Sequence, residues 1–247
     1  MMNRRVRLLL PVFAIMLTGM SCTPNREVST PPIRTSTSAE QAPAADTFLV
    51  KLETSKGNIV IEVHPDWAPK GADRIRELVD AGFYNECRFF RVMSGFMCQV
   101  GINGNPAVHN RWADRTIVDD PVIESNKPGY VTFAKTGAPN SRSTQFFINY
   151  GDNSRLDAMN FAPFGKVVEG MDVALAINAK FGERPDQEQI RMFGNEYLAR
   201  SFPSLDYIIR ASVVTPGDES DSAAGEMEVN KTTVETTEVS DSPVADE

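Results

Sequence analysis

An arginine and a glutamine stand among aromatic and sulfur side chains in the run Phe89 to Gly101, F-F-R-V-M-S-G-F-M-C-Q-V-G. Arg91 keeps its charge and presents a rigid fork of donors, and arginine is rarely buried without a partner. Gln99 can orient that fork or hold a carbonyl. Phe96 and Met97 offer a dry floor, where a hydrogen bond to a charged group is stronger than in water. Strand alternation places Phe89, Arg91 and Met93 on one face. The pattern alone fits two readings equally: an electrostatic working group at a surface, or a buried structural ion pair.

Other chemistries find little support. The chain has only two histidines, His64 and His109, and neither sits in a recognisable nucleophile setting. No Cys/His spacing resembles a zinc site. Gly151-Asp152-Asn153 carries oxygen ligands without the regular spacing of a calcium loop, so no metal is expected. Of three cysteines, Cys87 and Cys98 could pair in an oxidising compartment; two small buried thiols is the favoured reading. The formal net charge of −8 is unevenly placed. Residues 1–21 carry +3, residues 217–247 carry −9 from ten acids against Lys231, and residues 22–216 carry only −2. A nearly neutral middle without a basic run gives no electrostatic reason to expect nucleic acid.

The elements that must position Arg91 and Gln99 read mainly as short strands. Phe48, Val50 and Leu52 alternate, Lys56-Gly57-Asn58 turns, and Ile59, Ile61 and Val63 alternate again, which is a hairpin. Pro69 opens a helix that Gly82 closes, with Ala72, Ile75, Leu78 and Val79 as its buried stripe. Residues 89–101 then form two strands around Ser94-Gly95. Residues 103–129 read mostly as loop, anchored by Trp112 and Ile117. Strands are expected at 130–134, 144–149, 162–168 and 205–214, and a helix from Gly170 to about Lys180. Asp186 caps a further helix to Arg200, with Ile190, Phe193, Tyr197 and Leu198 on one face. About eight short strands with helices early and late predict a closed barrel capped by helices. The 170 residues of 47–216 suffice for one substantial core.

The ends read differently. Residues 1–21 join a basic start to a short apolar run, the pattern of a secretory signal. Ser21-Cys22 resembles the lipobox of bacterial lipoproteins, which implies lipidation of Cys22 and attachment to a membrane surface. Thr23 is not the aspartate that retains some lipoproteins at the inner membrane, which favours an outer-membrane or exposed face. Residues 22–46, rich in Pro, Ser, Thr and Ala, read as a disordered tether. Residues 217–247 read as a disordered acidic tail.

Three ordered motifs carry a family resemblance. They are F-F-R-V-M-S-G-F-M-C-Q at 89–99, F-A-K-T-G-A-P-N-S-R-S-T-Q-F-F-I-N at 133–149, and L-D-A-M-N-F-A-P-F-G-K-V-V-E-G-M-D-V at 156–173. Across most of 47–214 the chain resembles the cyclophilins, specifically a bacterial secreted or lipoprotein subgroup. The resemblance implies an eight-stranded antiparallel barrel closed by two helices, with an extra helix near 186–200. It also implies peptidyl-prolyl cis/trans isomerase activity without a cofactor. By motif position Arg91 matches the catalytic arginine and Gln99 its companion. Phe96, Met97, Ala134, Lys135, Thr136, Gln145, Phe147, Leu156 and Phe161 match substrate-binding positions. Of these, Ala134, Lys135 and Thr136 fall on the strand that pairs with substrate backbone. Phe161 stands where many members have histidine. Arg155 stands where some eukaryotic members have a tryptophan important for cyclosporin binding, so that departure bears on drug sensitivity rather than catalysis. Phe90, Val100 and Ile102 also depart from the common pattern, and are expected to reshape the rim of the site.

The chemistry agrees with the residues. Rotation about X-Pro crosses about 18–20 kcal/mol because amide resonance is broken. In the twisted state the proline nitrogen gains lone-pair character, and a fixed guanidinium can bond it better than it can the planar amide. No nucleophile, acid/base pair or metal is needed. The expected partners are proline-containing polypeptides and, through Cys22, a membrane; the expected state is a monomer. A rival reading, suggested by the changed rim, is a non-catalytic module that holds proline-containing segments. Arg91 has to point outward for catalysis, although alternation groups it with Phe89; a local bulge would reconcile the two.

Overall fold

The computed structural model describes residues 46–214. The signal, most of the tether, Cys22 and the acidic tail lie outside the described residues.

Eight antiparallel strands form one curled sheet in the order β3-β4-β6-β5-β7-β2-β1-β8. They are β1 (Phe48–Thr54), β2 (Gly57–Val63), β3 (Arg91–Met93), β4 (Met97–Val100), β5 (Tyr130–Phe133), β6 (Phe146–Asn149), β7 (Pro163–Glu169) and β8 (Ile208–Val214). The edges meet at a seam before β3 and β8. There Arg88 bridges Tyr207, Phe89 N donates to Asp206 O at 2.9 Å, and Ile208 N donates to Cys87 O at 2.9 Å. The hairpin β1–β2 pairs as its alternation predicts, and Val50, Leu52, Ile59, Ile61 and Val63 all point into the core.

Helix α1 (Pro69–Asp80) buries the predicted stripe of Ala72, Ile75, Leu78 and Val79 against that core. Pro69 sits at its first turn, and Gly82, at φ +64°, ends it by donating to Val79 O. Its N-cap position is Ala68, which has no capping side chain. The role falls to a distant residue: Asp120 accepts from Lys70 N at 3.0 Å and Gly71 N at 2.9 Å.

Three expectations need correction. Residues 103–129 are not mostly loop, because Pro106–Ala113 forms helix α2. Asn105 is its N-cap and accepts from Ala107 N at 2.9 Å, and Pro106 follows at a position where proline favours a helix start. The helix expected from Gly170 to Lys180 is only α3 (Met171–Leu175). Helix α4 (Gln187–Ser201) starts on Asp186 as predicted, but Phe193 is 51% exposed rather than on its inner face. Gly194 has non-helical φ/ψ of 57° and −141°, and this kink breaks the single face that helical spacing assumes.

A second apolar cluster explains the odd residues around the first motif. Phe90, Ile102, Ile190, Leu198 and Leu205 are buried together, flanked by Phe181, Tyr197 and Phe202. Phe90 and Ile102 are therefore the seat of α4, and Val100 lies in the main core. None of the three forms a rim. Phe90 and Ile102 are apolar because α4 packs on them, and Val100 because it faces the main core. Cys87 and Cys98 are both free and buried, and burial pushes the Cys98 thiol up to about 12.

Candidate active site

Strand register brings the key residues into line. Arg91 pairs with Gln99, and Gln99 with Phe147, across β3, β4 and β6. The expected bulge takes another form. Pairing lapses at Phe89 and Phe90, between the Arg88 bridge and β3. Phe89 and Val92 both enter the main core while Phe90 enters the second cluster. Arg91 is thereby released from the Phe89 face, and its side chain is 30% exposed.

All eleven residues expected at the site line one groove of about 600 Å³. Met97, Phe147 and Leu156 form its buried floor, with Met93, Phe96, Ala134 and Phe161 packed around them. Phe147 and Phe161 meet edge to face at 6.0 Å. Arg91 and Arg155 both lie over the Phe96 ring, at 5.7 and 4.8 Å from its centroid. Arg91 Nη1 donates to Gln99 Oε1 at 3.3 Å, and Gln99 Nε2 donates to Gln145 Oε1 at 2.8 Å. The glutamine pair thus props the guanidinium at the edge of an apolar cup. Lys135 pairs with Asp119 at 3.4 Å and lies 5.8 Å over the Phe161 ring.

Ala134, Lys135 and Thr136 are not on a strand; they follow β5, which ends at Phe133. The Ala134 N–H is already given to Gln145 O at 2.8 Å and the Thr136 N–H to Ser141 Oγ at 3.0 Å. This corrects the expectation that all three fall on the strand that pairs with substrate backbone.

The short 3-10 turn Ser154–Met159 carries Leu156, and Phe161 follows it. Both are held from behind. The Asp157 carboxylate accepts from Ser125 Oγ at 2.5 Å and from Asn126 N and Nδ2. Asn126, fully buried, also donates to Phe161 O at 2.8 Å. Burial raises the Asp157 carboxyl, but those hydrogen bonds outweigh it and hold the group below its usual range. Gly151-Asp152-Asn153 has the same kind of role: Asp152 accepts from Ser154 N, and Asn153 donates to Phe96 O and Asn149 Oδ1. Among the described residues no group of three or more His, Cys, Asp or Glu side chains converges as a metal site would require.

Sequence reasoning missed one whole wall. His109 and Ala113 from α2, Asp114 at its C-cap, and Gln187 and Arg191 from α4 also line the groove. The Asn105-Pro106 start signal was the available clue to α2. Glu183, whose carboxylate meets Arg91, carried no signal at all, since it is 92 residues away in sequence.

Comparison with known proteins agrees with this geometry. The family model described as cyclophilin type peptidyl-prolyl cis-trans isomerase/CLD matches residues 49–194, more than half of the chain. Peptidyl-prolyl cis-trans isomerase A of Dickeya dadantii is 38% identical over 137 residues, covering 51% of this chain and 68% of that protein. Peptidyl-prolyl cis-trans isomerase-like 3 of Homo sapiens is 35% identical over 129 residues, covering 50% and 77%. Among solved structures, cyclophilin AquaCyp293 from Hirschia baltica aligns with a TM-score of 0.51 at 22% identity, covering 68% of this chain and 75% of that one. A cyclophilin-type isomerase from Cryptosporidium parvum aligns at 0.54 and 19%, covering 69% and 99%. The structural likenesses speak for the fold, and the sequence match over 49–194 settles the kinship: the chain belongs to the cyclophilin-type peptidyl-prolyl cis-trans isomerase family.

Proposed function

We propose that this protein is a peptidyl-prolyl cis/trans isomerase that accelerates rotation about X-Pro bonds in proline-containing polypeptides. The observation that carries the reading is the Arg91 guanidinium at the edge of the Met97, Phe147 and Leu156 cup, propped by Gln99 and Gln145. The proline ring enters the cup. The chain on either side lies along the groove past Ala134, Lys135 and Thr136. As the bond twists, Arg91 donates to the pyramidalising proline nitrogen, and exclusion of water by Phe96 and Phe161 strengthens that bond. Each tenfold of rate requires about 1.4 kcal/mol of such differential stabilisation. Exchange spectroscopy on a short X-Pro peptide tests the reading. The full chain should broaden and exchange the cis and trans signals at substoichiometric amounts; absence of any acceleration would refute it. The rival binding-module reading drew on a changed rim, and loses its motive once Phe90, Val100 and Ile102 are found buried.

The setting proposed for this activity is the cell envelope, with the chain exported, lipidated at Cys22 and anchored on the periplasmic or outer-membrane face. The basic and apolar leader and Ser21-Cys22 support it. Incorporation of labelled fatty acid into the wild-type chain but not into Cys22→Ser is the expected result. Equal labelling of both, or none in either, would remove the anchor.

A further inference from the structure

Glu183 sits against Arg91 although none of the three family motifs contains it. Its Oε2 accepts from Arg91 Nε at 3.2 Å and from Nη2 at 3.1 Å, which occupies one edge of the guanidinium. Arg91 Nη1 goes to Gln99. Of the five N–H donors of an arginine, three are committed and two are left for a peptide in the groove.

The carboxylate is delivered by a built turn. Gly182 O accepts from Val92 N at 3.0 Å, on the very strand that carries Arg91. Gly182, at φ +59°, closes the turn by donating to Ala179 O, and Arg184 N donates to Phe181 O. The Phe181 ring packs on Phe202 at 5.2 Å beside Ile190 and Leu198. Helix α4 and its cluster therefore fix where Glu183 stands.

We propose that Glu183 is a positioning residue for the isomerisation. It holds the Nε and Nη2 edge of Arg91, so the guanidinium keeps one rotation and its two remaining N–H groups stay available to the bound X-Pro segment. The inference rests on the isomerase reading above. Glu183 is 63% exposed, so the pair adds little to folding and is screened by salt. Its effect belongs in the rate.

The test compares wild type, Glu183→Ala and Glu183→Gln as full chains, by exchange spectroscopy on an alanyl-prolyl peptide, with peptide affinity and melting temperature measured alongside. Glu183→Ala should lose about two- to five-fold in kcat, with KM and melting temperature little changed, the size expected for an exposed pair. Glu183→Gln, which keeps a neutral acceptor, should lose less. Rising salt should bring the wild-type rate toward that of Glu183→Ala and leave the variant flat. Equal rates for wild type and Glu183→Ala would overturn the inference. So would a faster variant, which would make the carboxylate a brake, or a loss that merely follows a fall in melting temperature. An inactive wild type would instead overturn the isomerase reading itself.

Discussion

Arg91→Ala is expected to slow catalysed X-Pro exchange by about 10²–10³-fold, the cost typical of removing one donor aimed at developing transition-state charge. The loss should fall on kcat. The cup of Met97, Phe147 and Leu156 survives the substitution, so a proline peptide should still bind with affinity close to that of wild type. Folding should also survive, because the side chain is partly exposed and its ion pair with Glu183 is a surface one. Arg91→Lys should recover only part of the rate, since a point charge on a flexible stem cannot hold both Gln99 and the twisted amide. Exchange spectroscopy with a matched binding titration reads both quantities. If Arg91→Ala kept a third or more of the wild-type rate, the electrostatic account of the site would fail.

Arg142→Ala should be the most damaging substitution for stability, by about 3–5 kcal/mol, because it strips the partner from a buried charge. The Arg142 side chain is 1% exposed and reaches Asp120 Oδ2 at 3.0 Å, with Asp119 at 3.4 Å and the Val118 carbonyl beside it. Asp120 is buried too, and the N-terminus of α1 compensates its charge only partly through Lys70 N and Gly71 N. Loss of Arg142 therefore loosens three places together: the 117–120 segment, the start of α1, and the groove wall at Ser141 and Ser143. A large drop in the urea midpoint with an unchanged slope is the expected result. A change under about 1 kcal/mol would mean that water or a rearranged neighbour satisfies Asp120.

What could be read in advance follows from how far apart the cooperating residues lie. The floor of the groove was legible because Phe96, Met97 and Gln99 are neighbours in one motif, and Gln145 and Phe147 in another. The stripe of α1 was legible because its spacing is local. Asp120 capping α1 and Glu183 meeting Arg91 were not, because each contact joins residues whose separation has no period and no local composition signal. Phe193 failed for a different reason: helical spacing holds only while the backbone stays helical, and Gly194 ends that condition. Phe90, Val100 and Ile102 were visible as departures, but a departure does not say whether a side chain meets solvent, the main core or a packed helix. Arg142 was in plain view within N-S-R-S-T-Q, yet only its own burial and that of Asp120 beside it give it weight.

The pairing of the first strand with the last carries a consequence for how the chain acquires its shape during synthesis. Leu49 on β1 lies opposite Val214 on β8, and the two strands are hydrogen-bonded along most of their length. Until the ribosome has made β8, the outer edge of β1 has no partner and the seam at Arg88 and Tyr207 cannot form. Pairings of such long range close late and slowly. An unfinished chain therefore stays open, with its edge strand exposed to other chains. If the chain is exported as proposed, late closure keeps it unlocked for the passage.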